Sequence, residues 1–183
     1  MKNMWASRRN RFTALGKLLG GTGAHKDVQP QFSNQQILLS WAGAIVGIGA
    51  LAYLSLGTGY PLVIAPFGAT SVLVFGVPDS PLAQPRNVLL GNCLSACIAV
   101  ALVALFGAQP LVMALAVATA IAAMQWTRSV HPPAGAVALV GVMSHASWPF
   151  ILAPVFCGSL VLVCCTFAFS TFAPGRTYPR HWF

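Results

Sequence analysis

The sequence predicts an all-α fold, a polytopic bundle of transmembrane helices, on three observations. Hydrophobic residues make up 57% of the 183 residues and charged residues only 7%, against roughly 25% charged in ordinary soluble domains. The charges also leave three windows empty, between Asp27 and Asp79, between Arg86 and Arg128, and between Arg128 and Arg176. A hydrocarbon core about 30 Å thick is crossed by roughly 20 apolar helical residues, so each window has room for two crossings. Six spans follow, arranged as two three-segment halves over residues 37–107 and 110–172.

The basic tail, residues 1–36, comes first, with Lys2, Arg8, Arg9, Arg11, Lys17 and Lys26. Such a tail stays cytoplasmic and touches anionic headgroups. No nucleic-acid module accompanies it, and no nucleic-acid partner is expected. Segment one, Ile37 to Leu56, carries Gly43 and Gly47 at the GxxxG spacing that admits a neighbouring helix. Gly57-Thr58-Gly59 ends it, and segment two runs from Tyr60 to Val77. The loop Val77-Pro78-Asp79-Ser80-Pro81 cannot stay helical. Segments three and four, Asn87 to Gly107 and Pro110 to Thr127, meet at Gln109-Pro110; segments five and six are Val130 to His145 and Trp148 to Phe172. Residues 173–183 form a second cytoplasmic tail.

Segments two and five are short, and each carries a proline followed by small residues: Pro66-Phe67-Gly68-Ala69 and Pro133-Ala134-Gly135-Ala136. Corresponding interruptions in two halves are a feature of transporters built from repeats. With three spans in each half, the second half is inverted relative to the first. Arg86, Arg128, Arg176 and Arg180 then share the side of the basic tail, as the positive-inside tendency requires. Four spans with two re-entrant segments is the alternative, and it moves Arg86 and Arg128 to the outer face.

Proline suits the first helical position and keeps the residue before it out of helical angles. A helix is therefore expected to begin at Pro133 after Val130-His131-Pro132, with the amides of Ala134, Gly135 and Ala136 unpaired at the positive end of the helix dipole. Small side chains leave those amides open, which outlines an anion site. Pro66 repeats the arrangement with Gly68 and Ala69, Thr70 and Ser71 adding hydroxyl donors and Phe67 standing as a hydrophobic gate. Arg86 and Arg128 supply a positive entrance or act as interfacial anchors; His131 binds substrate, carries a proton or caps a turn.

Absences narrow the function further. Asp27 and Asp79 are the only acids and lie outside the expected spans. That disfavours cation pumping, paired-carboxylate catalysis and carboxylate metal sites. Cys93, Cys97, Cys157, Cys164 and Cys165 all fall within apolar segments and imply no disulfide framework, and Cys93 and Cys97, on one helix face, read as small buried hydrophobes rather than as metal ligands. No enzymatic activity, cofactor or metal is expected.

Three stretches then name a family. Ala65-Pro66-Phe67-Gly68-Ala69-Thr70-Ser71, Gln84-Pro85-Arg86-Asn87 and Thr127-Arg128-Ser129-Val130-His131-Pro132-Pro133-Ala134-Gly135 resemble, in order and spacing, the signatures of the HPP family. The resemblance covers roughly Gln36 to Phe172. It implies an integral membrane protein of a kind found in bacteria and plant plastids, some of whose members are implicated in nitrite transport. One departure is Asn92, where many relatives carry a histidine.

The expected function is transport of a small inorganic anion, nitrite by family resemblance, in a bacterial inner membrane with both termini cytoplasmic. The site would lie between two helix N-termini and comprise Pro66, Phe67, Gly68, Ala69, Thr70, Ser71, Arg86, Asn87, Arg128, His131, Pro132, Pro133, Ala134 and Gly135. So small a chain is expected to form homo-oligomers that bury helix surface within the lipid bilayer. The rival reading is a non-transporting scaffold or accessory subunit, in which the same motifs only permit close helix packing.

Overall fold

The computed structural model describes residues 31–182, which are helical with no strand among them. The basic residues from Lys2 to Lys26 lie outside that range. Helix α1 is Asn34–Thr58, begun by a capping box in which Ser33 Oγ accepts from Gln36 N–H while Gln36 Oε1 accepts from Ser33 N–H. It ends at Gly59, whose φ of 71° is left-handed. Helix α2, Pro66–Ser71, continues as a π-helical turn over Val72–Gly76. A 3-10 turn, Pro81–Ala83, leads into α3, Pro85–Phe106, and α4 follows at Pro110–Trp126. Helix α5 is Pro133–Met143, and α6 is Gly158–Phe172, preceded by π-helical Ile151–Cys157. That π stretch contains Pro154, which lacks an N–H and cannot bond the carbonyl four residues earlier, so the helix widens there.

Three helices are long and apolar enough to cross a membrane: Asn34–Thr58, Pro85–Phe106 and Ile151–Phe172. The eleven residues of α5 rise only roughly 16 Å, about half the hydrocarbon thickness. Segments two and five are interrupted where their prolines predict. Each is a non-helical lead-in, residues 60–65 or 127–132, followed by a short proline-started helix.

Hydrogen bonds fix which helix ends meet. Arg176, past α6, donates from Nη2 to Ser40 Oγ near the start of α1 (2.9 Å) and to Phe75 O at the close of the second segment (2.5 Å). Arg180 pairs with Asp79 in the following loop at 2.6 Å. Arg86, in the first turn of α3, donates to Thr127 O at the end of α4 (2.9 Å). All four arginines among the described residues therefore share one end, the basic end. From it α1, α3 and α5 run outward, and α2, α4 and α6 return. Both short segments pass from one end to the other, as six spans require, rather than entering and leaving by the same face.

Gln84 and Tyr178 hold the basic end together. Gln84 Nε2 donates to Pro78 O and Ser80 O, while its Oε1 accepts from the Arg180 amide. The Tyr178 hydroxyl donates to Ala83 O at 3.0 Å, and burial pushes its pKa up, so it remains a donor.

Gly43 and Gly47 do admit a close neighbour, but it is a ring rather than a helix backbone. A Cβ on Gly43 would stand 2.5 Å from Phe75 Cδ1, and one on Gly47 2.6 Å from Phe75 Cε2. The Phe75 ring is fully buried and meets Phe169 edge-on at 6.1 Å, and the Arg176 guanidinium lies over Phe169. In lipid, such fit replaces the hydrophobic effect as the source of helix association. The cysteines correct a further expectation: all five are free thiols, but Cys93 is only half-buried and Cys97 is exposed on the bundle surface.

Filling the Phe75 groove tests this packing. Gly47→Val is expected to destabilise the protein by about 1–3 kcal/mol through overpacking. Gly49→Ala, at a helical position with no atom within 4 Å of a Cβ, is expected to be neutral or stabilising. Thermal unfolding in detergent distinguishes the two; equal melting temperatures would refute the packing account.

Candidate functional site

The three motifs meet in one hydrogen-bonded junction, built from the lead-in to α5 outward. Helix α4 ends in a Schellman motif: Arg128 N–H bonds Gln125 O and Ser129 N–H bonds Met124 O, with Arg128 at φ 54°. A non-glycine residue in this left-handed region costs about 1–2 kcal/mol. The turn reverses the chain so that Ser129 and His131 point into the bundle, fully buried, while Arg128 stays exposed.

His131 links all the layers. Its Nδ1 lies 2.9 Å from Leu82 O and its Nε2 3.0 Å from Thr70 Oγ1. A carbonyl can only accept, so Nδ1 carries the hydrogen; in the neutral ring Nε2 then accepts from the Thr70 hydroxyl. Asn87 Nδ2 donates to Val130 O at 2.8 Å, and Arg86 holds Thr127 O. Gly91 makes room for the turn: a Cβ there would stand 2.9 Å from Ser129 O and 3.0 Å from His131 Cβ. Arg86 and Arg128 thus lie beside the same turn, and the Arg128 side chain has no hydrogen-bond partner. The one acid among the described residues, Asp79, is occupied by Arg180.

The helix starts depart from expectation. Ala65 and Pro132 both adopt right-handed helical angles although each precedes a proline (φ −50°, ψ −40° and φ −53°, ψ −39°). The first turns close early as a result. Phe67 and Gly68 amides bond Ile64 O and Ala65 O, and Ala134 and Gly135 amides bond His131 O and Pro132 O. The amides of Ala134 and Gly135 are therefore paired, not open to a ligand. The local rule for residues before proline gives way because hydrocarbon offers no other partner for these groups.

Of the other nominated residues, Pro66, Phe67, Thr70, Ser71, Pro133 and Ala134 are buried, Gly68, Ala69 and Pro132 are exposed, and Gly135 is half-buried. A Cβ on Gly68 or Gly135 would meet nothing within 4 Å. Phe67 is packed against Gly158 of α6 as a fixed core ring. Sequence reasoning missed a second polar contact, fully buried, in which Asn92 Nδ2 on α3 donates to Ser159 Oγ on α6 at 3.0 Å. The available signal was a serine beside Gly158 inside an apolar run, since polar groups within spans are rarely idle.

The junction gives two expected outcomes. Thr70→Val leaves a buried His131 nitrogen without its partner and is expected to cost about 1–3 kcal/mol in thermal unfolding. Arg128→Gly relieves the left-handed strain and is expected to raise stability by about 1 kcal/mol; a lower melting temperature would show that its side chain has a structural part.

A family model described as HPP, transmembrane region, matches residues 29–179. Two curated transmembrane proteins of Dictyostelium discoideum are similar. One is 38% identical over 175 residues, covering 88% of this chain and 61% of the relative. The other is 39% identical over 160 residues, covering 81% and 51%. The chain thus spans about half to three-fifths of these relatives' length. No solved structure matches it.

Proposed function

The chain belongs to the HPP family of transmembrane proteins, and on that premise we propose that it carries a small inorganic anion across the membrane, nitrite foremost. The observation that carries this reading is the pairing of Arg86 with the Thr127 carbonyl. It sets one guanidinium beside the unpartnered Arg128 at the mouth of the His131 turn, with no free carboxylate nearby. Two adjacent cations without a counter-charge concentrate anions. Inward from them lie the buried hydroxyls of Thr70 and Ser71 and the imidazole of His131.

The basic end faces the cytoplasm in this reading, here of a bacterial inner membrane, and residues 37–107 and 110–172 act as inverted halves around the junction. The nitrite assignment comes from the family resemblance; the charges specify only an anion. With the amides of Ala134 and Gly135 already bonded, recognition rests on side chains and on the helix dipole, not on an open backbone cradle.

Reconstituted protein is expected to give saturable nitrite uptake above empty liposomes, after correction for passive leak of nitrous acid. Arg128→Ala is expected to lower the uptake rate about tenfold at low salt. Gly135→Leu, whose side chain has open space to occupy, is expected to fold and still impede uptake. An absence of uptake in the folded wild type would leave the accessory-subunit reading in its place. For orientation, a cysteine at Asp79 is expected to resist an impermeant maleimide in intact cells and to react after permeabilisation; labelling in intact cells would reverse the assignment.

A further inference from the structure

We infer that the bundle core accepts its substrate as a neutral weak acid, with the acid O–H donated to Asn92 Oδ1, so that one proton crosses with each anion. This rests on the transport reading above and deepens it by naming a substrate class and a second site.

Asn92, Ser95 and Ser159 are each fully buried, and Ser71 nearly so. The bond from Asn92 Nδ2 to Ser159 Oγ uses one of the amide's two N–H donors, and Oδ1 has no partner. Three buried hydroxyl oxygens among the described residues are equally unpartnered, those of Ser71, Ser95 and Ser170. Ser95 Oγ lies one turn farther along α3 than Asn92, and Ser71 Oγ follows the Thr70 that reaches His131. Contacts bring Asn92, Ser159 and Ser71 within about one helical turn of each other along the bundle. Gly91, beside Asn92, packs on His131, and Phe67, one turn before Ser71, packs on Gly158, the neighbour of Ser159. An unsatisfied buried polar group costs about 1–3 kcal/mol, and hydrocarbon supplies nothing to satisfy it. A small polar guest removes that cost.

The character of the guest follows from what is exposed to it. Oδ1 presents lone pairs, which repel a bare anion and attract a hydrogen-bond donor. The arginines among the described residues sit at the basic end, and burying an uncompensated anion in so uncharged a core is costly. The titratable and charged groups on the surrounding elements are Arg86 in the first turn of α3, its guanidinium held at the basic end by Thr127 O, His131, with both ring nitrogens bonded, Cys93 and Cys97 on α3, and Cys157, Cys164 and Cys165 along the π stretch and α6; α2 and α5 carry none. None of these is a fixed positive charge facing Oδ1.

A protonated oxyacid meets both requirements. Its O–H reaches Oδ1, and its second oxygen accepts from the Ser71 or Ser95 hydroxyl. At the basic mouth the anion takes a proton from water to form the O–H bond, and that bond breaks on release at the far side. Nothing is oxidised or reduced. Nitrite and formate have such acids; nitrate and chloride, anions of strong acids, do not.

The experiment uses full-length protein in sodium-free liposomes with the membrane potential clamped by potassium and valinomycin. Formate and nitrite are expected to enter at rates independent of the potential, acidifying the lumen, with nitrate and chloride excluded and Asn92→Leu slowed about tenfold. In parallel, formate is expected to raise the melting temperature of the detergent-solubilised wild type more at mildly acidic than at neutral pH, chloride having no such effect. Stabilisation by formate without uptake would retain the site and discard the transport reading. Uptake of nitrate or chloride alongside nitrite, or uptake driven by potential or requiring sodium, would retain transport and overturn the neutral-acid inference. Neither binding nor uptake overturns both.

Discussion

In hydrocarbon, every backbone amide and carbonyl has to find its partner within the protein, and the rest of this structure follows from how the two broken segments meet that demand. Segments two and five cross the bundle partly in non-helical conformation, and the loop before α3 is irregular too, which leaves several groups outside the helical ladders. In that loop the Leu82 carbonyl is taken by the His131 ring, and in the lead-in to α5 the Val130 carbonyl is taken by Asn87 and the Thr127 carbonyl by Arg86. Leu62 N–H is shared between Tyr60 O and Ser55 Oγ. The motif residues are thus first of all a repair of interrupted backbone, and their polar character inside a membrane is made tolerable by that use. What remains exposed, the Arg128 guanidinium and the unpartnered core oxygens, is the part available for chemistry.

Much of this was legible from the residues. Charge-free windows and proline breaks located all six segments, and Pro66 and Pro133 do open the short helices. The three motifs singled out along the chain meet in space. The failures share a cause: each rule applied locally, and each was overridden by a partner distant in sequence. Ala65 and Pro132 take helical angles before proline because closing a turn satisfies amides that water cannot reach. Gly43 and Gly47 receive Phe75 because Arg176, 101 residues beyond it, holds the Phe75 carbonyl. Nothing near Asn92 in the chain announces Ser159, and only the antiparallel approach of α3 and α6 joins them.

The separation of charge from interior sets the terms of recognition. Among the described residues positive charge gathers at one end, whereas the middle offers neutral polar groups and an imidazole. In the proposed transport, a site divided in this way would distinguish ligands twice, by charge at the mouth and by hydrogen-bonding pattern inside. The small residues retained at Gly68 and Gly135, which no neighbour fills, keep both short helices slim where they approach the surface.

The clamp formed by Arg176 bears on motion. One guanidinium fastens the polypeptide after α6 to the beginning of α1 and to the end of the second segment, while Gln84 and Tyr178 tie the next loop to the same tail. Those parts are tied together at the basic end. Beside the Gln84–Pro85 link into α3, His131 joins the antiparallel α3–α4–α5 group to them there, by way of Thr70 and Leu82. A rocking of one group against the other would therefore pivot on an imidazole, and two hydrogen bonds would be the latch that has to release before the basic end can open.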